Sequence, residues 1–420
     1  MKNTSWLMFE HIFRMGLSLV VTGLMARYLG TSNYGLISYG MAYISIFTVI
    51  CKLGIDSILV NEIIKDRENT GEIIGTTIFL RLASSVLSIF TIYFIVKYLN
   101  PDNKTLQMIT LIQSVSLLFV SFDTVTYWFQ SNLQSKYAVV AKSIAFFIVS
   151  SWRLILIFVS ASVELFATAT IIEAVIIGLF ILGFYFRYEG QKFKISLKRA
   201  KYLLEKGYHF VIAGLLITVY TQIDKIMLGQ LANESVVGIY TAAMTVSGFW
   251  MFIPNAIIES ARPMIMSAKY DNEEYYKRRY SQLYSTVIWM GVLASIVITI
   301  MSKWLILIIF GNGYLGSSNV LTGLIWSRIF SLIGVTRSIW LITENKIKYQ
   351  KYFVGTGAIL NVILNLTLIP KYGAVGAAIA TVVAEVFSST IALALFSETR
   401  PLLKIIIDAF FFKGFINRNK

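Results

Sequence analysis

Residues 164–186 read ELFATATIIEAVIIGLFILGFYF, and residues 187–207 continue with RYEGQKFKISLKRAKYLLEKG. The first stretch holds only two charges, Glu164 and Glu173. As a helix rising 1.5 Å per residue it is about 34 Å long, enough for a hydrocarbon core of about 30 Å. The second stretch holds seven Lys and Arg. An apolar span that runs into a basic loop is the signature of a membrane crossing that ends on the cytoplasmic side.

Similar spans occur on both sides of this pair. Apolar segments fall at about 6–28, 34–60, 72–99, 106–129 and 138–160 before it, and at about 208–230, 236–262, 282–310, 319–343, 352–370 and 373–396 after it. Turn residues separate several of them: Asn100-Pro101-Asp102, Gly311-Asn312-Gly313 and Pro370-Lys371-Tyr372-Gly373. The predicted fold is an all-α integral membrane protein of about 12 transmembrane helices. Composition agrees: 56% of the 420 residues are apolar and 14% charged, against roughly a quarter charged in soluble domains. Mean hydropathy is +0.70. These values exclude a disordered chain and most soluble enzymes. A single cysteine, Cys51, excludes a disulfide framework, and two histidines, His11 and His209, offer little to a metal. The N-terminal stretch, with Glu10, His11 and Arg14 inside it, reads as a retained helix and not a cleaved signal.

Charge position sets orientation. With the N-terminus in the cytoplasm, the inner side holds 24 Lys and Arg and the outer loops hold three, Lys97, Lys104 and Lys371. An even number of crossings then places both termini inside. The net charge of +15 belongs to this asymmetry and not to nucleic acid. Residues 187–207 divide the chain into a six-helix bundle over 1–186 and a second over 208–396, with a cytoplasmic or interfacial tail at 397–420. A shift of 212 positions lays 128–173 on 340–385: Trp128 meets Trp340, Lys136-Tyr137 meets Lys348-Tyr349, Val163 meets Val375, and Glu173 meets Glu385. Parallel repeats of this kind build transporters with the substrate path between the bundles.

The stretches ARYLGTSNYGLISY (26–39), WFQSNLQSKY (128–137), TQIDKIMLGQL (221–231) and LIPKYGAVGAAIATVVAEV (368–386) together resemble the polysaccharide-transport family. Its members include the O-antigen (Wzx-type) flippases of the multidrug/oligosaccharidyl-lipid/polysaccharide exporter superfamily. The resemblance implies a MATE-like, V-shaped pair of six-helix bundles. It also implies translocation of a polyprenyl-pyrophosphate-linked oligosaccharide from the inner to the outer leaflet of the bacterial inner membrane. Implied partners are that lipid-linked glycan, the membrane lipids, H+ or Na+ as a coupling ion, and polysaccharide polymerase and chain-length proteins. No cofactor or metal is expected.

Such a cargo needs a wet, basic vestibule, because an anionic pyrophosphate and many hydroxyls lose several kcal/mol per unpaired group in hydrocarbon. Ten basic and eight acidic residues fall within or at the edges of the apolar segments. Each costs around 3 kcal/mol near mid-bilayer, which favours a hydrated interior or internal pairs. The candidate cationic contacts are Arg14, Lys52, Arg81, Arg153 and Arg328. Arg14 belongs to a stripe, Glu10, Arg14, Ser18 and Thr22, and either reaches phosphate or neutralises Glu10. Lys52 and Asp56 repeat that i,i+4 spacing. Arg81, Arg153 and Arg328 have no acid within four positions. The candidate coupling groups are Asp56, Glu173, Asp224 and Glu385, each also open to a structural pairing. Gly376, Ala380 and Ala384 form a packing ridge, and Pro254 and Pro263 suggest bends. An enzyme reading, such as a membrane polymerase or glycosyltransferase, lacks support: there is no GxxxxGK[ST] loop, HExxH or Asp-x-Asp pair. A cation-coupled multidrug antiporter of the same superfamily is the closer rival.

Overall fold

The computed structural model describes residues 2–188, 190–412 and 415, with side chains from residue 14 onward except at 271. Every regular element among them is helical. The α-helices are α1 (Lys2–Lys52), α2 (Asp56–Lys65), α3 (Thr70–Leu99), α4 (Lys104–Ser114), α5 (Ser116–Val120), α6 (Thr124–Ser131), α7 (Lys136–Phe158) and α8 (Val163–Arg187). They continue as α9 (Leu197–Leu231), α10 (Glu234–Phe249), α11 (Phe252–Asp271), α12 (Glu273–Phe310), α13 (Ser317–Thr343), α14 (Gln350–Ser389) and α15 (Arg400–Phe410).

Among the described residues, nine helical stretches are long and apolar enough to cross a membrane, and α10 with α11, bent by 45°, makes up to ten. Two stretches are too long for one crossing: Arg14–Lys65 has 52 residues and Ile347–Leu395 has 49, where about 20 suffice. Each contains a glycine outside helical geometry, Gly30 (φ 71) and Gly373 (φ 55), where an L side chain would be strained. At Gly373 the chain reverses. A Cβ on Gly376 would lie 2.3 Å from the Leu368 carbonyl oxygen, although residues eight apart in a straight helix are about 12 Å apart. Gly376, Ala380 and Ala384 are all buried, as the packing ridge requires. The α10–α11 bend falls at residues 250–251, so Pro254 sits in the first turn of α11, where its missing N–H costs least.

The chain forms two compact units, Val20–Ile226 and Met227–Lys420 with Met1–Leu19. In Val20–Ile226, α3 exposes Leu87, Phe90 and Phe94 while Ser85, Ser88 and Ile92 are buried. Small hydroxyl residues inward and large apolar ones outward is the arrangement expected in lipid. The sequence 190–196 is extended and docks on the start of α3. Lys194 N–H donates to Gly71 O (3.1 Å), Gly71 N–H to Gln191 Oε1 (2.8 Å) and Ser196 N–H to Thr76 Oγ1 (3.1 Å). Only glycine admits this approach: a Cβ on Gly71 or Gly75 would lie 2.3 or 2.5 Å from a carbonyl oxygen of this strap. Arg199 then pairs with Asp66 and, at 3.4 Å, with Glu72; Lys206 pairs with Glu62 at 3.0 Å. The sequence places the next helix near residue 208, whereas α9 begins at Leu197. Those carboxylates and a Lys201–Glu205 i,i+4 pair (3.9 Å) satisfy its basic first turns.

In the other unit, Tyr276, Tyr280 and Tyr284 line one face of α12 within the core. The Tyr280 hydroxyl donates to Thr336 O and accepts from Trp340 N–H (2.9 Å), inserting itself into the i→i−4 ladder of α13. The C-terminal helix α15 buries Leu402, Ile406 and Ala409. Two of its last carbonyls are capped from α12, Ala409 O by Ser285 Oγ (2.8 Å) and Phe410 O by Trp289 Nε1 (3.3 Å).

Two positions 212 apart in the aligned stretches end their helices with the same closure, one that recurs at Ala161→Leu156 and Gly311→Ile306. Gln134 N–H donates to Phe129 O, and Lys346 N–H donates to Leu341 O, each a six-residue closure after a helix. The bonds Asn132→Trp128 and Leu133→Gln130 are matched by Glu344→Trp340 and Asn345→Ile342.

Candidate functional site

The break between α1 and α2 is made by two consecutive left-handed residues, Leu53 (φ 55) and Gly54 (φ 64). A Cβ on Gly54 would lie 2.3 Å from Gly207 O, so α9 crosses directly against this turn. The turn places Lys52 and Asp56 beside Arg81 of α3. Asp56 accepts from Arg81 Nη2 and lies 3.3 Å from Lys52 Nζ. Lys52 reaches Asp123 at 3.7 Å, and Asp123 reaches Lys142 of α7 at 4.0 Å. Three cations and two carboxylates thus alternate from α3 to α7, an overall positive ladder.

Its members differ in exposure. The Arg81 side chain is 1% exposed, while Lys52, Asp56 and Asp123 are 28%, 25% and 23% exposed. Arg81 Nε and Nη1 have no hydrogen-bond partner. Arg81 is therefore joined to the accessible members of the ladder through Asp56, whereas Lys52 and Lys142 carry charge on an accessible face. The sequence shows no acid near Arg81 within its own helix; tertiary packing supplies one from 25 positions away.

Of the remaining candidates, Arg153, Glu173 and Asp224 belong to the same unit as this ladder, and Arg14, Arg328 and Glu385 to the other. Arg153 of α7 is half-buried, its Nε lacks a hydrogen bond, and Glu173 of α8 acts on it electrostatically. The same two helices are joined by Trp152 Nε1 donating to Thr168 Oγ1 at 3.2 Å. Arg328 of α13 donates to Ser247 Oγ through Nε (3.3 Å) and Nη2 (3.0 Å). Arg14 is half-buried on α1, and Glu10, its proposed partner, has a side chain outside the described residues. Asp224 on α9 is 3% exposed and Glu385 on α14 is half-buried.

Four polar groups that the sequence reading did not single out as site residues are prominent. Asp123 and Lys142 complete the ladder; Asp123 is one of the eight acids counted within or at the edges of the apolar segments, and Lys142 one of the 24 bases counted on the inner side. In α14, Asn361 and Asn365 are fully buried, with Asn365 Nδ2 donating to Asn361 Oδ1 at 3.0 Å. Their i,i+4 spacing in an apolar helix was the available signal.

Comparison with known proteins gives the family and the fold. Over 176 residues, 41% of this chain and 37% of the relative, the sequence is 27% identical to the probable flippase AglR of Haloferax volcanii. Over 198 residues it is 26% identical to the probable low-salt glycan biosynthesis flippase Agl15 of the same organism, covering 45% of this chain and 40% of the relative. The chain thus spans about two fifths of the length of these curated relatives. Among solved structures, an inward-facing multidrug resistance MATE family transporter of the MOP superfamily superposes with a TM-score of 0.76 at 14% identity, covering 94% of this chain and 96% of that one. The lipid II flippase MurJ, in an inward closed conformation, gives 0.74 at 17% identity, covering 99% and 94%. These likenesses establish the MATE-like fold of a multi-pass membrane protein. The model of the polysaccharide biosynthesis protein family matches residues 1–269, well over half the sequence, and the chain belongs to that family.

Proposed function

We propose that this protein is a flippase that moves a polyprenyl-pyrophosphate-linked oligosaccharide, an O-antigen repeat unit or a similar glycan, from the inner to the outer leaflet of the bacterial inner membrane by alternating access. Family membership over residues 1–269 carries this reading, because that family serves polysaccharide biosynthesis. The flippase names of both Haloferax relatives support it. So does the basic excess of the Lys52–Asp56–Arg81–Asp123–Lys142 ladder, since anionic cargo needs cations that are exposed but held in place. In this reading Lys52, Arg14, Arg153 and Arg328 are each candidate cationic contacts for the anionic cargo, and Arg81 positions Asp56 and with it Lys52. Asp56, Asp224, Glu173 and Glu385 are the groups proposed to carry a coupling proton or Na+. Both termini lie in the cytoplasm, and polymerase and chain-length proteins act on the exported unit.

A second reading, a cation-coupled multidrug antiporter, is favoured by the MATE likeness alone. Reconstitution separates the two. Proteoliposomes loaded with fluorescent polyprenyl-pyrophosphate oligosaccharide should show protein-dependent movement of the glycan to the opposite leaflet. Gradient-driven uptake of an organic cation with no glycan movement would replace the flippase reading by the antiporter.

A further inference from the structure

A cavity of about 730 Å³ opens between the α11–α12 junction, the end of α13 and the C-terminal helix α15, all within the Met227–Lys420 unit. Of its four carboxylates, Glu344 holds Lys269 and Glu273 holds Lys277, both at 2.7 Å, while Glu274 and Asp408 also line the wall, so five cations face four acids. Three further cations on its wall, Arg278, Lys346 and Lys404, form no ion pair among the described residues; Lys346 Nζ instead donates to Glu398 O at 2.9 Å. The floor contains a donor without an acceptor. Ser281 is 7% exposed, and its hydroxyl makes no hydrogen bond. The Tyr276 hydroxyl, on a residue 1% exposed, is turned to Glu344 and Thr343. A buried polar group left unpaired is costly, so the Ser281 hydroxyl favours an occupant that accepts a hydrogen bond.

The helix that closes the cavity is amphipathic in a particular way. One face of α15, Leu402, Ile406 and Ala409, is buried. Arg400, Lys404, Ile407 and Phe411 recur at i, i+4, i+7 and i+11 and are all exposed, Ile407 at 50% and Phe411 at 66%. Cations at one end of an outward face and apolar side chains at the other suit a helix lying at a membrane interface.

We infer that this cavity binds the phosphate headgroup of an anionic phospholipid. Lys404, Arg278 and Lys346 surround the phosphate, Ser281 donates to it, and the acyl chains lie along Ile407 and Phe411. Basic pockets at the ends of transmembrane helices recognise lipid headgroups in this way. The inference does not rest on the flippase reading.

Native mass spectrometry of the full chain in detergent tests it. Phosphatidylglycerol should stay bound under activation that strips phosphatidylcholine. Lys404→Gln, on an exposed helix face and so harmless to folding, should lower retained phosphatidylglycerol about fivefold, the factor one basic residue near an anionic surface is worth. Adding Arg278→Gln should lower it further, while Lys198→Gln, far along the sequence on α9, should leave it unchanged. Equal retention of the two lipids, or retention unaffected by either cavity variant, would overturn the inference. Glycerol 3-phosphate is the soluble arm: if it binds as well as phosphatidylglycerol and displaces it, the phosphate chemistry stands and the lipid source is overturned.

Discussion

Leu133 and Asn345, 212 positions apart, adopt the same left-handed backbone at φ 56 and φ 54, and close equivalent turns after α6 and α13. The bonds that define each turn are donated by residues that are themselves 212 apart. Side-chain identity has drifted to leucine in one copy and asparagine in the other, while the backbone conformation persists. What the two halves share is a requirement for reversal at this point.

That requirement makes a stability prediction. Leu133 is 95% exposed and loses no core contact on truncation, so Leu133→Gly should relieve left-handed strain and raise stability by about 1 kcal/mol. Asn345→Gly should gain less, because asparagine tolerates this region. Leu133→Val should be destabilising. Thermal unfolding in detergent, followed by tryptophan fluorescence, ranks the three; a Val variant as stable as the Gly variant would contradict the strain.

Tyr280 replaces one helical hydrogen bond of α13 with two of its own. Tyr280→Phe leaves either two buried backbone groups unpaired or a helix that must rewind locally. The expected loss is about 1–3 kcal/mol, with protection of the Trp340 amide from hydrogen exchange falling in parallel. Unchanged protection at Trp340 would mean that the ladder heals by itself.

For the charge ladder, removing Asp56 strands the buried guanidinium of Arg81, whereas removing Arg81 leaves Asp56 with Lys52. Asp56→Ala should therefore be the more damaging single change, about 3–5 kcal/mol, and the double variant with Arg81→Ala should recover part of the loss. Additive effects in this cycle would dismiss the pair. In a surface-glycan complementation assay, Arg81→Lys should retain part of the activity lost in Arg81→Ala at equal protein abundance.

The strap over α3 should detach when its glycines acquire side chains. Gly71→Val is expected to expose Lys192 and Lys194 to trypsin while the apolar helices stay protected. Arg199 and Asn69 hydrogen-bond Asp66 and hold its carboxyl below the usual carboxylate range. A lowered folded value means the contact contributes fully above the ordinary Asp value of about 3.9 and is lost as pH falls through the lowered one. Amide protection of the strap, read by pulsed hydrogen exchange at different pH, should be flat near neutrality and weaken only in strong acid. In Arg199→Ala, whatever acid sensitivity remains should shift toward higher pH.

Orientation is testable by labelling. In a Cys51→Ser background, cysteines at Asn103 and Asn312 should react with a membrane-impermeant maleimide from outside, and one at Lys198 should not. Efficient external labelling at Lys198 would reverse the proposed topology.

Apolar length and the glycine break at Gly373 were legible because they are local: a helix must be long enough to cross, and a reversal needs a residue that accepts positive φ. The prolines Pro254 and Pro263 instead sit inside α11, after the bend at residues 250–251. Gly373 and the Trp128/Trp340 turns announce themselves within ten residues. Family membership was legible for the same reason, since its motifs are turn and packing signals. Which charges meet was not. Arg81 reads as solitary along its helix, and only the Leu53–Gly54 turn and the packing of α2 on α3 bring Asp56 to it. Lys142 reads as a loop base until α7 sets it beside Asp123. Helices apolar all round carry little periodic signal for their buried face, so neighbours and not sequence period choose it. The same holds for residues 190–196, whose composition reads as a free linker. Their docking depends on two glycines more than a hundred positions earlier, a complementarity that exists only once the chain has folded.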